Sequence, residues 1–209
     1  LYNINNELKV ISLDLISKTK VIGNTELTLT YDIDVFKNYE GKDYKMLPKI
    51  DVKLMSRTSE FFSIFSTMNV GKDIYYNDDL KNYPEGKDLT FYTLLSFQLN
   101  DNLNLSPSLR YSRLKKIDLD ENYFTGYIVR LSGRYQFNKS LSVRLISEYN
   151  DFQKKLLVQP LFQWNPNPFT IFYVGGNQNA LREEIGKDYG SLYMNTSQFF
   201  IKFQYLIKI

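Results

Sequence analysis

Phe199-Phe200-Ile201-Lys202-Phe203-Gln204-Tyr205-Leu206-Ile207-Lys208-Ile209 decides the fold. Phe199, Ile201, Phe203, Tyr205, Ile207 and Ile209 are all apolar or aromatic, whereas Lys202, Gln204 and Lys208 fall between them. A repeat of two is the mark of a β-strand, because successive side chains point to opposite faces. One face of this segment suits lipid and the other suits a wet or polar interior.

The same pattern recurs upstream. Leu27, Leu29, Tyr31, Ile33 and Val35 alternate with Thr28, Thr30, Asp32 and Asp34. Leu89, Phe91, Thr93, Leu95, Phe97 and Leu99 form another such run, and Tyr123, Thr125, Tyr127, Val129, Leu131, Gly133 and Tyr135 a third, set against Arg130, Ser132, Arg134 and Gln136. About eleven strands are predicted, at roughly 6–18, 24–36, 48–57, 60–71, 87–99, 103–115, 123–137, 140–152, 154–164, 168–177 and 196–209. Most are long enough for a tilted strand to cross a bilayer, which takes about 9–11 residues.

Short turns are expected at Lys20–Gly23, Thr58–Ser59, Asn100–Asn102, Asn138–Lys139 and Asn165–Asn167, and longer polar loops at Lys37–Leu47, Lys72–Gly86, Lys116–Asn122 and Gln178–Asn195, with one tight connection near Gln153. Short and long alternate along the chain, as they do in outer-membrane barrels with periplasmic turns and extracellular loops. Counting back from Ile209 places the C-terminus on the periplasmic side. Phe61, Phe62, Phe137, Trp164 and Phe169 flank the short turns and suit an interfacial girdle. Tyr31, Phe36, Tyr75, Tyr76 and Tyr123 lie toward the long loops.

Composition narrows the function. The 209 residues are 43% hydrophobic and 16% aromatic, with 17 Tyr and 15 Phe against one Trp, which fits a strand-rich chain. Mean hydropathy is -0.35, and no window approaches the length of a membrane helix; a barrel strand escapes that test because only alternate residues meet lipid. There is no Cys and no His, which removes disulfides, thiolate metal sites, triads and most neutral-pH acid–base chemistry. The expectation is a protein that is not an enzyme and carries no cofactor or metal. The formal charge of +3 is dispersed, with no basic run interleaved with aromatics, so no nucleic-acid partner is expected.

The fold class that follows is an all-β, antiparallel transmembrane β-barrel of the bacterial outer membrane, with 1–209 as one domain. Single-chain bacterial barrels carry even strand numbers. An odd count of eleven, with a start that has no Met and no leader, predicts the C-terminal section of a larger barrel.

Two segments carry a resemblance. Phe162-Gln163-Trp164-Asn165-Pro166-Asn167-Pro168-Phe169-Thr170-Ile171-Phe172-Tyr173-Val174-Gly175 resembles the penultimate hairpin of Bacteroidota outer-membrane proteins in which a family-nine-type carbohydrate-binding module precedes a C-terminal barrel of uncharacterised function. Phe199-Phe200-Ile201-Lys202-Phe203-Gln204-Tyr205-Leu206 is similar to the ending of that group, although Ile209 stands where barrels usually end in Phe. The resemblance implies a membrane anchor or pore domain linked to surface glycan binding or uptake, with outer-membrane lipid and the barrel-assembly machinery as partners, and glycans or other outer-membrane proteins beside them. The alternative is a non-catalytic subunit of a multi-protein outer-membrane assembly.

The candidate functional residues fall into three groups. Arg110, Arg130, Arg134 and Arg144 are predicted to share the lumen face of three successive strands, and Asp32, Asp34, Asp51 and Lys53 that of earlier ones, with Glu148 and Asp51 as pairing partners. Walls of opposite charge select polar solutes in pores, and the same residues can instead pair to fill the interior. Tyr75, Tyr76 and Tyr83 lie in a loop with Asp73, Asp78, Asp79, Glu85 and Asp88, a composition suited to stacking on sugars or to packing the loop itself. Phe199, Ile201, Phe203, Tyr205, Ile207 and Ile209 make the C-terminal assembly strand. Two further clusters read as solvated charge. Asp118, Asp120, Glu121 and Asn122 lack the glycine and distant glutamate of a calcium loop, and the adjacent Glu183 and Glu184 diverge in an extended chain instead of converging as glycosidase carboxylates do.

Overall fold

A computed structural model describes residues 8–77, 82–185 and 188–207, without the side chains of 183–189. Eleven strands and no helix make up these residues: β1 (Val10–Val21), β2 (Thr25–Tyr39), β3 (Lys42–Ser56), β4 (Phe62–Ile74), β5 (Glu85–Asn100), β6 (Leu103–Lys116), β7 (Asn122–Asn138), β8 (Leu141–Asn150), β9 (Lys155–Asn167), β10 (Thr170–Ile185) and β11 (Asp188–Tyr205). They form one antiparallel sheet in strict chain order, as the periodicity predicts. Among the described residues β1 pairs only with β2, and β11 only with β10.

Two expected loops are strands. Lys37–Leu47 has the polarity of a loop, but β2 and β3 run on through it and turn at Glu40 and Gly41, whose φ angles of 48° and 78° are those of a two-residue hairpin turn. Gln178–Asn195 is likewise taken up by β10 and β11, which pair as far as Ile185 and Asp188. The lengths of the irregular connections therefore do not alternate as expected. Toward the tip of a hairpin both faces can be wet, so polar residues fill both faces and the repeat of two fades without the strand ending.

The chain divides into two compact units. The first comprises Leu1–Thr58, Ile64–Thr93 and Arg110–Gly126, and the second Ser59–Ser63, Leu94–Leu109 and Tyr127–Ile209. In the first, Leu15, Tyr31, Ile50 and Val70 stand opposite one another across β1 to β4 as a continuous apolar stripe. In the second, Tyr135, Val143, Phe162, Val174 and Ile201 make the same kind of stripe across β7 to β11. A parallel row sets Trp164 against Phe172 and Phe172 against Phe203, with ring centroids 5.3 and 4.9 Å apart.

These stripes are exposed. Leu27, Leu29 and Tyr31 lie open while Thr28, Thr30 and Asp32 between them are half-buried. The order repeats in β4, where Met68 and Val70 are open beside Asn69, and in β9, where Phe162 and Trp164 are open beside Gln163. Ile201 is 70% exposed and Phe203 58%. A water-soluble sheet shows the reverse, with polar residues outward.

The buried cluster lies elsewhere, at the end of the first unit that carries the longer connections. Tyr44, Leu47, Ile74 and Tyr83 pack together there, with Tyr39 against them. Tyr44 and Leu47 are three apart in β3 and would face opposite ways in a regular strand. Met46 between them has a φ of 57°, a left-handed conformation that re-aims the chain so that both side chains join one cluster.

Candidate functional site

The polar face of the first unit is a connected set of contacts. Asp14 stands directly opposite Asp32, and Asp32 opposite Lys49. Lys49 Nζ lies 2.8 Å from Asp73 Oδ2. Asn69 Nδ2 donates to Asp51 Oδ1 at 2.7 Å, so Asp51 meets an amide and not the cation expected for it. Asp34 approaches Lys37 at 3.7 Å. A second row alternates cations and rings: Lys53 Nζ sits 5.7 Å from the centre of Phe65, Phe65 meets Tyr92 edge-on at 6.0 Å, and the Arg110 guanidinium lies 5.4 Å above Tyr92. Each of these cations has a carboxylate or an aromatic face, and the aromatic contacts are worth about 0.5–2 kcal/mol apiece. Lys53 and Arg110 are legible in the sequence as polar-face residues. Phe65 and Tyr92, the rings that hold them, are not singled out by it.

The second unit is arranged differently. Arg130 stands opposite Glu148, with Nη1 3.3 Å from Oε2, so Glu148 is a pairing partner as expected. Arg134 stands directly opposite Arg144, two like charges in register. Beyond Arg144 come Leu161, Gly175 and Phe200, none of which offers a counter-charge. The adjacent row reads Gln136, Ser142, Gln163, Tyr173 and Lys202, with Lys202 Nζ 5.9 Å from the centre of Tyr173. Phe200, an aromatic on a largely polar face, lies over Gly175: a Cβ on that glycine would come within 2.6 Å of Phe200 Cζ. The missing side chain makes room for the ring.

The tyrosines of the loop suited either to sugars or to its own packing meet mainly their neighbours. Tyr75 stacks on Tyr123 at 4.6 Å and 16°. Tyr76 meets Tyr39 edge-on at 4.8 Å and has Lys37 Nζ 5.7 Å from its ring centre, yet remains exposed. Tyr83 is buried; Tyr39 meets its ring edge-on, and the Tyr44 hydroxyl donates to its carbonyl. Among the three, Tyr76 keeps an open face. Asp78 and Asp79 of the same loop lie outside the described residues, as does Lys187, and the side chains of Glu183 and Glu184 are likewise not described.

In the β6–β7 connection Asp120 pairs with Lys115, and Glu121 Oε2 accepts from Lys116 Nζ at 2.6 Å. The Lys115 ammonium, by hydrogen bond first and by charge second, holds the Asp120 carboxyl below the usual carboxylate range. Both carboxylates are thus turned to lysines of β6 and not toward a shared point.

Phe199, Ile201, Phe203 and Tyr205 share one face of β11, which is exposed on both faces from Ser197 to Tyr205. Ile207 follows the strand, and Ile209 lies outside the described residues. The end of β11 lies beside the β9–β10 turn, where the Leu206 N–H donates to the Phe169 carbonyl at 2.8 Å. No protein-family model matches the chain, and neither curated proteins nor solved structures yield a match.

Proposed function

We propose that this chain is a section of a transmembrane β-barrel in a bacterial outer membrane, serving as an anchor or pore domain linked to the binding or uptake of surface glycans. The observation that carries the reading is the inverted alternation. Aliphatic and aromatic stripes run across β1 to β4 and across β7 to β11 on one face, open in β2, β4 and β9, while hydroxyl, amide and charged groups share the other with a few rings. Lipid covers such a face without loss, whereas water does not, and large contiguous apolar patches on a soluble monomer are rare. Trp164, Phe137 and Phe169 lie exposed near the short turns, where an interfacial girdle sits, which supports a periplasmic C-terminus.

A bilayer leaves no backbone donor or acceptor unpaired, so the proposal requires β1 and β11 to find strand partners, in each other or in further strands. Barrel-assembly machinery and outer-membrane lipid are the partners it entails. The purified chain is expected to require detergent, to give a β-type circular dichroism spectrum and to migrate differently on gels before and after heating. A chain that stays monodisperse without detergent refutes the proposal. Conductance across planar bilayers then separates a pore from a plugged anchor, and in a pore R130E with R134E reverses the ion preference.

A further inference from the structure

We infer that Arg134 and Arg144 form a binding site for an oxyanion, a solute carrying a phosphate or carboxylate group. The site rests on the reading above, in which the polar face lines an aqueous interior.

Two facing guanidinium groups carry a cost. Like charges directly opposite on an antiparallel pair have Cβ atoms only about 4.5–5.5 Å apart and destabilise it. Nothing on the neighbouring strands offsets this cost. β7, β8 and β9 together contain a single carboxylate, Glu148, and Arg130 engages it at 3.3 Å. Among the described residues no ion pair joins Arg134 or Arg144 to a carboxylate. Both side chains are exposed on their face, so each guanidinium is open to solutes.

The surroundings fit an anion. A guanidinium presents its donors as a planar fork that matches the spacing of two oxygens on phosphate or carboxylate. Two forks in register can grip one tetrahedral oxyanion from both sides. Leu161, next in the row beyond Arg144, supplies apolar surface beside the site, and Gln136 and Ser142, paired in the adjacent row, add neutral polar groups that can donate hydrogen bonds. On the polar face of the first unit, by contrast, Lys53 and Arg110 face aromatic rings and Lys49 faces Asp73.

The test uses the full chain folded in detergent micelles and titrated calorimetrically with inorganic phosphate and, separately, with succinate. Saturable binding of at least one is expected, and the tighter of the two identifies the preferred head group. Removing both forks in R134Q/R144Q should weaken binding by about ten- to a hundredfold. K139Q, which removes a turn cation outside the site, should leave it unchanged. Wild-type protein gives an independent reading: phosphate should slow phenylglyoxal modification of Arg134 and Arg144 relative to chloride, without protecting the exposed Arg57. Folded, heat-modifiable protein that shows neither saturable binding nor selective protection overturns the site while leaving the barrel reading intact. Equal weakening by K139Q also overturns it. A chain that needs no detergent overturns the barrel reading first, and the site with it.

Discussion

The polar faces of the two units use the same residue types to opposite ends. In the first, Lys49 meets Asp73, Asn69 meets Asp51, and Lys53 and Arg110 bracket Phe65 and Tyr92. In the second, Arg134 and Arg144 confront each other beside amides and hydroxyls. The first face packs its cations against carboxylates and rings, and its like-charge pair in register, Asp14 and Asp32, has Lys49 opposite Asp32; the second leaves Arg134 and Arg144 with no counter-charge on the strands beside them. Period-two patterning alone cannot tell these apart, because it shows which residues share a face and not which of them meet.

The glycines offer the sharpest break. A Cβ on Gly71 would come within 2.7 Å of Lys49 Cα and would also strike the Pro48 carbonyl, both of them backbone. G71A therefore has to push two strands apart and should destabilise the first unit by about 3 kcal/mol. A Cβ on Gly175 meets the ends of Phe200 and Leu161, which can swing aside. G175A should cost about 1 kcal/mol or less. The urea midpoint of the folded, heat-modifiable gel band reads both. Equal shifts would mean that the first unit is no stiffer than the second.

Neutralising one cation in each unit comes next. K49M leaves Asp73 and Asp32 without their shared neighbour, in side chains only about a quarter exposed, and should lower stability by about 2 kcal/mol. R144M relieves Arg134 of a like charge and should raise stability by about 0.5 kcal/mol in phosphate-free buffer. The opposite signs are what matter. If R144M destabilises as K49M does, Arg144 has a structural partner and the contrast between the two faces is lost.

Much of this is legible in the sequence. Alternation in Leu27–Val35, Tyr123–Tyr135 and Phe199–Ile207 is enough to predict strands and which residues share a face, because side-chain direction depends only on parity. Register is another matter. That Arg134 meets Arg144 while Arg130 meets Glu148 depends on where the β7–β8 turn closes, at Lys139 and Ser140, and a shift of one residue there would redraw every pair. The Lys37–Leu47 hairpin is obscured by its own composition. Lys37-Asn38-Tyr39-Glu40-Gly41-Lys42-Asp43 has the polarity of a loop, and its turn sets Glu40 in a left-handed conformation that more often falls to Asn or Asp. The tyrosine cluster is visible as a composition but not as a packing, since Tyr83 and Tyr44 meet across 39 residues of chain.

Acid separates the two regions most gently. Pairing in the first unit depends on carboxylates, and Asp120 in the β6–β7 connection shows the sign. Lys115 holds its carboxyl low, so the pair contributes stability in full above the ordinary aspartate value and loses it as pH falls below about 4, through the depressed value of the folded state. The Lys116 N–H, which donates to the Glu121 carbonyl at 2.9 Å, closes the same connection and should exchange faster with solvent over that interval, after correction for intrinsic rates. D120N should remove its own share of this acceleration by having no charge to lose. The amides of Arg134 and Arg144 should show no comparable change, because Glu148 is the single carboxylate of β7 and β8 and it engages Arg130. An acceleration of equal size at Arg134 would mean that the second unit also relies on a carboxylate, and that the arginine pair is not open after all.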